Sequence, residues 1–368
     1  MTTPSAAPLA AREIWIDALK GFGVALVVFG HNPELVGYGA LRGLIYSFHM
    51  PMFFALSGLT LCALRPAQWA QRTLSLLWIY AMLSLVFLPL ALMHDGNFIP
   101  TPQPVLPNIL AGIAYGVSST IRIDTLWFLP VLALGCLLAW PIVSACETRI
   151  GDERRRGFVL FGLALLLVTL GSAGLHDIDR SPMTKQLAWA GAGTQRLWPW
   201  TANIVPFITG FILLGRALVR LPEARPAVAG VAIACLGLLW IGCFLRSGAG
   251  MLPWTLDLSH AQIGPDPAWT TLAALAGCTF WILLLRRSGQ QLRFAAWIGR
   301  SSLAVMVLHP MIQHSLSRIG GGIGPWLGFT GGLLIPVVLD RALLNRHSLG
   351  QLFFYPRNFL RKHQHGFR

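Results

Sequence analysis

The sequence predicts an all-α, polytopic integral membrane protein of about ten transmembrane helices with both termini cytoplasmic, on three observations. Of its 368 residues, 55% are hydrophobic and only 11% charged, where a soluble domain carries about 25% charged residues. Apolar runs of about 20 residues, enough to cross a bilayer, recur along the whole chain. Basic residues cluster in alternate connections between those runs. The formal net charge of +14 is therefore read as a topological signal, and no nucleic-acid partner is expected.

The first helix is expected at 14–33; its apolar run ends in His31 and Asn32 with no small-residue cleavage site, so it is read as a retained span and not a signal peptide. The second (44–64) runs to Arg65, and the third (73–93) follows Arg72. After a Pro-rich connection the fourth (124–146) begins at Asp124. The basic stretch Arg154–Arg156 precedes the fifth (157–175). The sixth (197–219) ends at Arg220, and the seventh (227–245) lies between Arg225 and Arg246. The eighth (268–285) stops at Arg286, and the ninth (294–319) and tenth (322–344) close the set before the basic tail. With the N-terminus inside, twenty basic residues fall on the inner side and seven on the outer, with Arg300 inside the ninth helix. The expected organisation is a polar tail at 1–12, a ten-helix membrane domain at 13–345 and a basic cytoplasmic tail at 346–368.

The outer connections 94–123, 176–196 and 246–267 are the long ones. They read either as caps over a site or as plain surface connectors. The stretch NILAGIAYGVSS (108–119) is too brief to span and reads as re-entrant or interfacial. The six cysteines lie in or at the ends of apolar runs without paired loop spacing, so they read as small core residues; no metal site is expected.

Ionisable groups within a membrane need a partner or a function. Lys20 and His31, eleven positions apart on the first helix, fall within about 20° of one face and roughly 16 Å apart along the axis. Asp17, one turn below, can pair with Lys20. They read either as a functional face or as an interfacial anchor with a helix-capping histidine. His49 precedes Pro51 near the outer end of the second helix, with Ser57 deeper. Asp124 opens the fourth helix as a cap or a histidine partner. Arg300 lies two turns into the ninth helix, reaching for phosphate or snorkelling, and His309 precedes Pro310. Several imidazoles in one half of a bundle would suit acid–base chemistry near neutral pH.

IDALKGFGVALVVFGH (16–31), FHMPMFFALSG (48–58), LWFLPVL (126–132) and GRSSLAVMVLHP (299–310) occur in that order. Together they resemble the membrane-bound acyltransferase 3 family, most closely its sugar O-acetylase branch. Two departures stand out: Lys20 replaces the family's usual arginine, and Ser75 stands where a second arginine often follows Arg72. The resemblance implies transfer of an acyl group, commonly acetyl from acetyl-CoA, to a hydroxyl of a sugar or lipid-linked glycan, by a multi-pass protein surrounded by the lipids of the cell inner membrane. It implies His31 as catalytic base, with Lys20 its basic partner and Asp17 the preceding acid. Coenzyme A phosphates are expected near Lys20, Arg72 or Arg300. Asn32, Ser57 and His309 are candidate oxyanion donors, with His49 and Asp124 also on the acceptor side, and Glu34 or Asp124 could orient His31. A transporter or a non-catalytic sensor on the same scaffold remains the alternative.

Overall fold

The computed structural model describes residues 14–37, 39–60, 66–89, 106–178, 198–221, 225–247, 256–264, 266–288, 291–319 and 321–356. The described chain is almost wholly helical, comprising α1 (Ile14–Gly30), α2 (Pro33–Val36), α3 (Ala40–Tyr46), α4 (His49–Thr60), α5 (Pro66–Val86), α6 (Leu106–Tyr115) and α7 (Phe128–Arg149). There follow α8 (Glu153–Ile178), α9 (Val205–Arg220), α10 (Pro226–Arg246), α11 (Pro267–Ser288), α12 (Arg293–Gly299), α13 (Ser302–Ser317), α14 (Gly324–Leu339) and α15 (Ser348–Phe354). Two-residue strands β1 (Leu256–Asp257) and β2 (Gln262–Ile263) pair antiparallel, Leu256 opposite Ile263.

Among the described residues, six helical segments are long and apolar enough to cross a membrane: 124–149, 153–175, 199–220, 226–246, 267–288 and 324–344. The bent pair α12–α13 forms a seventh if taken as one span. The protein is thus an all-α polytopic membrane protein. Leu238, Val231 and Leu245 on α10 are exposed at 76%, 65% and 67%, the apolar surface expected where a helix faces lipid.

Among the described residues, the second and ninth expected spans are broken. The second divides at Ser47 and Phe48 into α3 and α4. There the Ser47 hydroxyl donates to the Leu44 carbonyl and accepts from Trp240 Nε1, and Pro51, one turn on, has no backbone N–H to offer the Ser47 carbonyl. The ninth bends by 78° between α12 and α13. Arg300 therefore lies at this elbow, and not two turns inside a straight helix. The expected tail from 346 begins with α15, whose Leu352 carbonyl accepts from Trp78 Nε1 on α5 at 3.0 Å.

The core is built around α9, which packs on α8, α4 and α7, and around α1, which packs on α12, α11, α13 and α4. Phe48, Phe54, Phe207 and Phe211 are fully buried there. Close backbone approach sets the helix spacing. A Cβ on Gly58 would lie 1.9 Å from the Ile212 carbonyl oxygen, and one on Gly21 would lie 1.8 Å from that of Ala295. Small residues at such crossings let helices pack by dispersion where lipid removes the usual hydrophobic drive.

Candidate active site

α1 carries polar groups at both ends, about 21 Å apart at 1.5 Å per residue from Asp17 to His31. At its first end Asp17, only 1% exposed, lies 3.6 Å from Lys20 Nζ and 3.3 Å from Arg300 Nε. The elbow before α13 delivers Arg300 here, because Gly299 and Gly21 let α12 press against α1. Arg72 donates to the Thr60 carbonyl and hydroxyl at the end of α4, at 3.4 and 3.0 Å. Ser75 donates to the Gln71 carbonyl, and Arg65 lies outside the described residues.

At the other end a cavity of about 250 Å³ is lined by His31, His49 and Asp124, together with Arg42, Tyr46, Asp257 and His260. The last turn of α1 is held by hydrogen bonds from Gln313 Nε2 to the Val28 carbonyl (3.1 Å) and from Asn32 Nδ2 to the Pro325 carbonyl (2.8 Å). The turn carrying Asp124 is tied to α13 by the Thr125 hydroxyl, which donates to the Met306 carbonyl at 2.9 Å. A second cavity of about 510 Å³ shares His31 and Asp124 and adds Glu34, Arg122 and His314.

The histidines are prepared alike. Nδ1 of His31 lies 2.8 Å from the Val27 carbonyl, and Nδ1 of His49 lies 2.9 Å from that of Ile45. Nδ1 of His309 lies 2.9 Å from the Val305 carbonyl. A carbonyl only accepts, so Nδ1 carries the proton in each, and in the neutral ring Nε2 presents a lone pair. His31 is part-exposed on the cavity wall, whereas the His309 ring is wholly buried behind it, centroids 5.3 Å apart.

Several expected partners are thereby redirected. The other ring proton of His31 goes to Val27 of its own helix, so neither Glu34 nor Asp124 is needed to orient the ring. Ser57 is buried away from both cavities, its hydroxyl donating to the Phe53 carbonyl at 3.3 Å. Asn32 spends an amide hydrogen on Pro325. His309 offers an acceptor in its neutral form, not an oxyanion donor.

Sequence reasoning passed over three cavity residues. Arg42, assigned to an outer connection, is 9% exposed and stacks on the Tyr46 ring at 5.1 Å. Asp257 and His260 form an ion pair at 2.9 Å, and Ser259 donates from its backbone and hydroxyl to the same carboxylate. Burial pushes the Asp257 carboxyl up, but the bonds from His260 and Ser259 more than offset it and leave it below the ordinary value. The Asp257 bond raises His260 against the opposing effect of burial. The available signal was DLSH, a carboxylate and an imidazole three residues apart in a long connection.

Fold and site define a polytopic α-helical membrane protein with a histidine-lined cavity at one end of α1 and a carboxylate held between two cations at the other. Residues 13–339 match the acyltransferase domain of the acyltransferase 3 family, and the chain belongs to that family. The class of activity this assigns is acyl transfer. Comparison with curated proteins and with solved structures gives no match.

Proposed function

We propose that the protein transfers an acetyl group from acetyl-CoA to a hydroxyl of a sugar or cell-envelope glycan, as in the sugar O-acetylase branch, with His31 as general base. The observation that carries this reading is the His31 ring, its Nδ1 committed to Val27 and its Nε2 free to accept a proton at a cavity wall. Nε2 takes the acceptor hydroxyl proton as the oxygen attacks the thioester carbonyl, and collapse of the tetrahedral adduct expels coenzyme A as thiolate, which recovers that proton.

The donor is held from the opposite end. Lys20 and Arg300, positioned by Asp17, meet its phosphates, with Arg72 beside the end of α4 as a further contact. An extended pantetheine arm then runs along α1 to the cavity. In this reading α1, α3–α4 and α5 are the first three of ten spans in the inner membrane, both termini are cytoplasmic, and donor and acceptor meet from opposite faces. The charge asymmetry of the connections supports this orientation.

The test is release of free coenzyme A from acetyl-CoA by purified protein in lipid, supplied with an extract of cell-envelope glycans. Extract-dependent release that falls by about 10²–10⁴-fold in His31→Ala is expected. Absence of donor binding and turnover in the wild type would overturn acetyl transfer and leave solute flux or sensing to be assayed.

A further inference from the structure

The cavity that His31 lines is also walled by residues 256–260 of the segment 256–263, whose chemistry the proposed reaction leaves unused. Its conformation is fixed from inside and outside. β1 pairs with β2, Ala261 takes the left-handed conformation at φ 49°, and the Ser118 hydroxyl donates to the Ser259 carbonyl at 2.9 Å. Asp257, 5% exposed, receives the Ser259 backbone N–H at 3.0 Å and lies 2.9 Å from His260 Nδ1. With Nδ1 spent on the carboxylate, the remaining nitrogen of His260, Nε2, is the one left to act. Its side chain is 48% exposed and lines the same cavity as His31.

We propose that His260, oriented by Asp257, is the oxyanion donor of the transfer reaction, acting from the wall of the cavity that the base His31 also lines. This rests on the acyl-transfer reading above. The two imidazoles have opposite requirements. His31 must be neutral, with its Nε2 lone pair open. His260 must be protonated, so that Nε2–H points at the thioester carbonyl oxygen while Nδ1–H remains on Asp257. As the acceptor oxygen bonds to the carbonyl carbon, its proton passes to His31 and the C=O π pair moves onto oxygen, where the His260 N–H holds it. Reformation of C=O breaks the C–S bond, and His31 returns the proton to the departing sulfur. His260 keeps its proton throughout.

The Asp257 bond raises the His260 pKa, the direction that favours the charged donor. The other titratable or charged groups lining this cavity are Arg42 and Tyr46 of α3, His49 of α4 and Asp124 ahead of α7. Asp124 adds to the elevation of His260. Ser57 is committed to Phe53 and Asn32 gives one amide hydrogen to Pro325, while His260 is the imidazole of this cavity whose Nδ1 is held by a carboxylate.

The test is the pH dependence of kcat for coenzyme A release, with acetyl-CoA and the glycan extract as probes. Wild-type kcat should fall along an alkaline limb that reports loss of the His260 proton. His260→Gln should lower kcat by about 10²-fold, leave the KM for acetyl-CoA within about twofold, and abolish the alkaline limb. Asp257→Asn should move that limb to lower pH. If His260→Gln does not fold, the limb shift in Asp257→Asn decides alone. An alkaline limb retained unchanged in either folded variant, even at reduced kcat, would assign the pair a structural role and overturn the proposal. Failure of the acyl-transfer reading is distinguishable, because wild type itself would then release no coenzyme A.

Discussion

Replacing Gly21 with alanine tests whether backbone contact between α1 and α12 positions the donor end of the site. An added Cβ would lie 1.8 Å from the Ala295 carbonyl oxygen and 2.7 Å from its carbon. Both are backbone atoms, so rotating a side chain cannot relieve the clash. Restoring van der Waals contact requires the helices to part locally by about 1.5 Å, and overpacking of this kind costs about 1–3 kcal/mol. The Asp17–Arg300 contact, 3.3 Å across the same crossing, would stretch beyond hydrogen-bonding reach. Gly23→Ala on the same helix is the internal control, since its nearest neighbour is the flexible end of Met52. Gly162→Ala, with nothing within 4 Å, is the second control. Thermal unfolding in detergent should fall by several degrees for Gly21→Ala and less for Gly23→Ala. Gly162→Ala should be neutral or slightly stabilised, by helix propensity. The KM for acetyl-CoA should rise only in Gly21→Ala. Equal unfolding temperatures for Gly21→Ala and Gly162→Ala would refute the helix contact, and an unchanged KM would refute its link to donor binding.

Glu147→Ala should destabilise the fold by about 3 kcal/mol, because it strands Arg216, 3% exposed, without the carboxylate it shares with Arg220. Adding Arg216→Met should recover most of the loss; a double variant no more stable than the single in detergent melts would exclude this origin. The Asp257–His260 pair predicts a pH window for local stability. His260 is raised above 6.5, so its contribution is complete below 6.5 and is lost as pH rises through the raised value. Asp257 is lowered below 3.8, so its contribution is complete above 3.8 and is lost as pH falls through the lowered value. The melting difference between wild type and Asp257→Asn should therefore be largest between these limits; a difference independent of pH from 3 to 9, on the order of the span scanned, would refute the pairing.

Much of the membrane architecture was legible because it depends on composition over long windows. The segments at 153–175, 226–246 and 267–288 lie within a few residues of the expected spans, since an apolar run bounded by charge has one stable placement in lipid. The pairing of Asp17 with Lys20 was equally local, one turn apart on one helix. The breaks at Ser47 and Arg300 were not legible, because each is accompanied by a contact from elsewhere in the chain: Trp240 on Ser47, and α1 against Gly299.

The sequence by itself determined that this chain is a polytopic helical membrane protein, and its ordered motifs singled out His31, Lys20 and Asp17. Only the tertiary structure decided that Arg300 meets Asp17 across 283 positions, that Val27 fixes the His31 tautomer, and that Arg42, Asp257 and His260 share the His31 cavity. Hydropathy and helical spacing constrain neighbours along one chain segment. A cavity wall is assembled from segments whose separation in sequence carries no record of their distance in space.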